Sequence, residues 1–143
     1  MTEKKRMMRF VWTLLLLLPF SLSGQHRLEV VVSGVTSAEG NVLVALYSEA
    51  ATFPKFESVF RNGKAPAKVG DTRVVLEDLP AGDYALAVFH DENGNDALDK
   101  NWLGFPKEDY GFSMARTKTF GPPSFQECLV VLREDMTLTI PLE

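Results

Sequence analysis

With 143 residues, 19 acidic against 15 basic, the chain loses four basic residues and one acidic one once an N-terminal leader is set aside. The remainder, about 120 residues, is long enough for one domain with a real core. Its 11 basic and 18 acidic residues give a net charge of −7, which repels phosphate backbones and excludes nucleic-acid binding, and its single cysteine, Cys128, excludes an intramolecular disulfide.

The leader comes first. Lys4, Lys5, Arg6 and Arg9 form a basic region, residues 10–20 an apolar run of 11, and Ser21, Leu22, Ser23 and Gly24 a small-residue cleavage region. A helix needs about 20 apolar residues to cross a bilayer core, so a cleaved secretory signal over 1–24 is expected, cut after Ser23 or Gly24. Leu22-Ser23-Gly24 is similar to the start of a bacterial lipoprotein box, but Gln25 stands where the lipidated cysteine belongs. The expected product, 25–143, is extracytoplasmic, periplasmic or secreted, with no membrane span.

Strand signals follow. Leu28, Val30 and Val32 share one parity, and the segment Asn41–Tyr47 follows after a turn at Ala38-Glu39-Gly40, which predicts a hairpin. Residues 48–72, with Pro54, Asn62-Gly63, Pro66 and Gly70, read as loop with a short helix around 55–62. A second pair is expected at 73–76 and 84–90, and a third at 127–132 and 136–142, turning at Arg133-Glu134-Asp135. About seven short strands without a long helical period predict a single all-β domain, an antiparallel Greek-key sandwich. Cys128 lies in an apolar run and reads as a small buried hydrophobe.

Between the strands ending at His90 and starting at Glu127 lie 36 residues without a strand pattern. A loop longer than about 15 residues is uncommon in a compact domain and is often functional. Its first part places Asp91, Asn93, Asn95 and Asp99 at positions 1, 3, 5 and 9, with oxygen donors on alternating residues. A hard cation such as Ca²⁺ takes six to eight oxygens from such a loop. Ala97, at position 7, offers a backbone carbonyl, and Glu92, Asp96, Glu108 or Asp109 would complete the shell. A helix-loop-helix calcium hand needs glycine at position 6 and glutamate at position 12, where Asp96 and Trp102 stand. The same residues also suit a metal-free turn capped by its own Asx side chains. If Ca²⁺ binds, extracellular modules suggest a dissociation constant of about 10⁻⁴–10⁻³ M.

His90 shares parity with Tyr84, Leu86 and Val88, and is expected to close the core-facing row and to orient the loop. The rival role is a general base beside the carboxylates. Trp102, Phe105, Tyr110, Phe112, Phe120 and Phe125 supply six of the 15 aromatics. They read either as a satellite hydrophobic cluster under the loop or as a stacking platform for a ligand.

These residues resemble a family. The run 90–101, then Leu103-Gly104-Phe105-Pro106, Tyr110-Gly111-Phe112-Ser113 and Gly121-Pro122-Pro123-Ser124-Phe125, is similar to a bacterial family of secreted proteins known only as a domain of unknown function. Its pattern is His-Asp-x-Asn-x-Asn-x-x-x-Asp, then Gly-x-Pro and Gly-Phe-Ser. The resemblance implies an exported sandwich of transthyretin-like or carboxypeptidase-regulatory-like type without established activity. Leu79-Pro80-Ala81-Gly82-Asp83-Tyr84 is similar to a turn of those sandwiches in which the tyrosine begins a core strand. Asp96 replaces a glycine of the pattern, and Met114-Ala115 stand where polar amides are usual.

The expected function is therefore a non-catalytic binding or structural module, its partner an unidentified ligand or envelope protein. Asp91, Asn93, Asn95 and Asp99 would hold Ca²⁺, with His90, Asp96, Trp102, Tyr110, Phe112 and Ser113 as loop-orienting or ligand-contacting residues. Two rivals are a small hydrolase-like enzyme working in a cleft between His90, Asp91 and Ser113, and a domain that contacts another envelope protein.

Overall fold

The computed structural model describes residues 24–143; the leader expected at 1–24 lies outside the described residues apart from Gly24. Eight strands follow in order: β1 (Gln25–Val35), β2 (Asn41–Tyr47), β3 (Arg61–Pro66), β4 (Gly70–Pro80), β5 (Gly82–Asp91), β6 (Tyr110–Phe112), β7 (Val130–Leu132) and β8 (Met136–Pro141). They form two facing sheets, one ordered β4-β1-β8 and the other β3-β2-β5-β6, with β7 also paired to β5. The fold is an all-β sandwich, as the strand pattern predicts.

Parity decides which side chains go inside. Leu28, Val30 and Val32 of β1, Val42, Val44 and Leu46 of β2, and Leu86 and Val88 of β5 are all essentially inaccessible and belong to one core. Burying each such side chain contributes about 1.5–3 kcal/mol, so these alternating rows hold the sheets face to face. On the outer face of β4, Asp71, Arg73 and Glu77 stay in water.

Three expected pairings are corrected. β1 pairs with β4 and β8, whereas β2 pairs with β3 and β5. The turn at 38–40 therefore crosses from one sheet to the other and makes no hairpin. The same holds for β4 and β5, and for β7 and β8. Alternation specifies the buried face of a strand but not its neighbour, so residues paired in sequence end up opposite one another across the core. A further difference is that β1 and β8 run parallel.

Two strands fall where loop was expected. The segment 48–72 holds a short 3-10 turn, Phe56–Ser58, then β3 and the start of β4. The edge strand β3 buries no large side chain, and its Gly63 faces β4, where a Cβ would come within 2.8 Å of Leu76. Inside the long loop, the three-residue β6 pairs with Ala87, Val88 and Phe89 of β5.

Candidate functional site

The end of β5 at the rim of the larger sheet forms the root of the acidic loop. His90 and Asp91 are both buried, 1% and 0% exposed. The Nε2 of His90 donates to the carbonyl of Glu39 at 2.8 Å, since a carbonyl can only accept. Its Nδ1 is buried without a hydrogen-bond partner, 3.8 Å from a Glu92 carboxylate oxygen. His90 ties the loop's root to the preceding turn at Glu39 and, through its main-chain N–H, to Asp109 O. Gly40 completes this turn at φ 67°, and a Cβ there would lie 1.9 Å from the Asp91 carbonyl. No side chain fits between the turn and the loop.

From this root the chain folds back on its own side chains. One oxygen of Asp91 accepts the N–H of Asn95 at 3.2 Å and the other that of Asp96 at 2.8 Å. Asn93 Oδ1 accepts Asn95 N–H at 3.2 Å, and Asn95 Oδ1 accepts Ala97 N–H at 3.0 Å, two successive Asx turns. The side-chain amides of Asn93 and Asn95 then both donate to the Asp99 carboxylate, at 2.5 and 2.9 Å. Three of the four expected ligands therefore meet at Asp99, and the fourth, Asp91, pins the backbone of the same turn from beneath.

Asp96 is not among them. Its φ of 59° is the left-handed conformation that glycine adopts freely, and its carboxylate points to Lys64 Nζ at 3.1 Å. It holds a backbone that glycine adopts freely while turning its charge outward. Trp102 is 91% exposed.

The residue that sequence reasoning did not single out is Glu108. Its two oxygens accept the N–H groups of Glu92 at 3.2 Å and Asp99 at 3.0 Å. It straps the returning chain to both ends of the acidic turn. The sequence offers it only as one of four spare carboxylates, because the chain reversal that brings it back is not written in local spacing. Among the described residues no group of three or more His, Cys, Asp or Glu side chains is placed to hold a metal. A cation here must take amide oxygens as well, and two carboxylates with two amides form the oxygen-only set that hard ions accept.

The aromatic residues divide in two. Phe112 and Tyr110 stack edge to face at 5.8 Å, and Phe53 packs the same way on Tyr47, Phe112 and Phe125 at 5.1, 6.0 and 5.9 Å. Phe53, Tyr110, Phe112 and Phe125 form a second small core with Ala85 and Cys128, where burial pushes the Cys128 thiol up to about 11. Trp102, Phe105 and Phe120 stand in water. Ser113 is fully buried: its hydroxyl donates to Cys128 O at 2.6 Å and accepts Leu86 N–H at 3.0 Å. It therefore stitches β5 to the segment before β7. It sits beside Leu86, four residues along β5 from His90, or about 13 Å at strand rise. The cleft expected between His90, Asp91 and Ser113 does not form.

A groove of about 210 Å³ crosses the outer face of the larger sheet, lined by Leu43, Phe56, Val59 and Phe89, with the Lys64–Asp96 pair at its end. It is smaller than the roughly 300–1,000 Å³ of small-molecule sites.

Fold and site together define a β-sandwich that carries a side-chain-capped acidic loop on one rim. Residues 30–140 match the profile of a family described as an uncharacterized protein conserved in bacteria (DUF2141), and the chain belongs to that family. No curated protein and no solved structure matches it.

Proposed function

We propose that this chain is an exported, non-catalytic binding or structural module of transthyretin-like type, whose acidic loop takes up Ca²⁺ in the periplasm or outside the cell. The supporting observation is the meeting of Asn93, Asn95 and Asp99 side chains at one point, directly above the turn that Asp91 caps. Asp91, Asn93, Asn95 and Asp99 would hold the ion, which supplies positive charge between Asp91 and Asp99 and so ties the two ends of the turn together. The leader composition supports export.

A metal-free loop is the second reading, favoured by the amide hydrogens that already satisfy Asp99. Thermal unfolding separates the two. With a dissociation constant of about 10⁻⁴–10⁻³ M, 10 mM Ca²⁺ adds about 1.4–2.7 kcal/mol over chelator. Superimposed melting curves would remove the calcium reading and leave the loop self-capped.

A further inference from the structure

We propose that the turn at 101–105 is a lipid-surface anchor that seats Trp102, Leu103 and Phe105 in the headgroup layer of a phospholipid bilayer. Trp102 is 91% exposed, Leu103 59% and Phe105 54%, three large apolar side chains within four residues on a projecting turn. Isolated exposed hydrophobics are ordinary; a cluster on one projection is not.

The backbone of this turn is closed on itself. Asn101 N–H donates to Phe105 O at 2.8 Å and Gly104 N–H to Asn101 O at 2.9 Å. The Asn101 side-chain oxygen accepts the N–H groups of Leu103 at 2.9 Å and Phe105 at 3.1 Å. Four of the five N–H groups in 101–105 are thus satisfied within the segment. Such closure leaves few backbone donors to be stripped of water as the tip settles toward the acyl boundary.

Two basic charges at the neck suit the same occupant, while the adjoining Asp99 and Glu108 carboxylates are engaged by N–H groups of the acidic turn. The neck is an antiparallel bridge between Lys100 and Pro106. Lys100 and Lys107, on either side of it, are exposed and make no ion pair among the described residues. They stand where lipid phosphates would lie once the tip is inserted. Tryptophan, apolar in body with one N–H donor, prefers that interfacial depth. A projection of this kind needs a matching hollow on a protein partner, but a bilayer yields to it. The inference does not rest on the calcium reading, because Asn101 holds the turn without an ion.

Trp102 is the chain's only tryptophan beyond Trp12 in the leader, so emission from the exported form reports on the tip alone. That form is mixed with vesicles of phosphatidylcholine, alone or with a minority of phosphatidylglycerol, in chelator and in millimolar Ca²⁺. The expected result is a blue shift, quenching by brominated acyl chains and co-sedimentation. Trp102→Ala should lose sedimentation with an unchanged melting curve, and Lys100→Gln with Lys107→Gln should weaken partition into the mixed vesicles by about tenfold. Unshifted emission with every vesicle and buffer overturns the proposal, as does sedimentation that survives Trp102→Ala. Trp102-dependent capture of an envelope protein without a vesicle response overturns it in favour of a protein partner. Failure of the calcium reading appears separately, in the melting curves.

Discussion

Replacing Asp91 tests whether the loop stands on its buried carboxylate. Asp91 is 0% exposed, and its two oxygens accept the N–H groups of Asn95 and Asp96. A hydrogen bond to a charged group contributes about 1.5–3 kcal/mol. Both donors sit where water can partly replace the lost acceptor, so the lower figure applies to each. Asp91→Ala should therefore cost about 3 kcal/mol. For a domain of this size each kcal/mol lowers Tm by about 3–4 °C, a drop of about 10 °C. Asp91→Asn keeps the shape and one acceptor but sets an amide N–H against a backbone N–H, so it should fall between, at about 2 kcal/mol. Urea unfolding followed by circular dichroism gives both values, with an unchanged m-value showing that stability, and not the compactness of either state, has changed. If Asp91→Ala melts within about 3 °C of the natural protein, the two capping bonds do not hold the turn and the structural argument for the site is wrong. Any calcium-induced rise in Tm should vanish in the same variant.

Three further outcomes follow from neighbouring contacts. Tyr84, 3% exposed, donates its hydroxyl to Pro80 O at 2.7 Å across the bend that changes sheets, so Tyr84→Phe should cost about 1 kcal/mol in the same unfolding assay. Asp96 holds a left-handed φ of 59°, so Asp96→Gly should unfold within about 1 kcal/mol of the natural chain, whereas Asp96→Ala should lose about 1–2 kcal/mol; equal stability of the two variants would show that the backbone there is unconstrained. Glu127 is held down from 4.5 to about 2 by Lys118 and then by the N–H and hydroxyl of Ser124. A depressed carboxylate contributes stability above its unfolded value and loses it as pH falls through the folded one. The Tm gap between the natural chain and Glu127→Gln should therefore be full at pH 7 and close between about pH 4.5 and 2.

Features fixed by near neighbours were legible in the sequence. Asn41–Tyr47 is a strand with the predicted bounds, and the inward rows at 28–32 and 84–88 follow period-two alternation. The spacing of Asp91, Asn93, Asn95 and Asp99 likewise places them on one turn, because the bonds among them are local. Features that depend on distant chain were not. β3, with its Arg-Asn-Gly-Lys-Ala-Pro sequence, is an edge strand that buries nothing large, and its Asn62-Gly63 imitates a turn. β6 is too short to alternate. Crossing turns and hairpins share the same signals, so sheet assignment escaped. Glu108 and Gly40 matter only because chain reversal sets one beneath the loop's backbone and the other against Asp91.

The loop's bonds also join the acidic turn and the apolar tip mechanically. Asp99 takes part in both: its carboxylate gathers Asn93 and Asn95, while its backbone carbonyl accepts Lys107 N–H at 2.8 Å and its N–H is held by Glu108. Lys107 and the Lys100–Pro106 bridge form the neck of the turn that carries Trp102. A cation drawing Asp99 toward Asp91 would thus stiffen the neck from below, and only differential affinity for the stiff neck would let it strengthen insertion of the tip. Reciprocity gives this a number to measure: whatever factor Ca²⁺ adds to vesicle partition, vesicles must add to Ca²⁺ affinity. Glu108→Gln, which weakens the strap while leaving the proposed ligands and Trp102 in place, should lower that shared factor toward one. If calcium and vesicle affinities stay coupled in Glu108→Gln as in the natural chain, the two ends communicate by bulk charge and not through the strap.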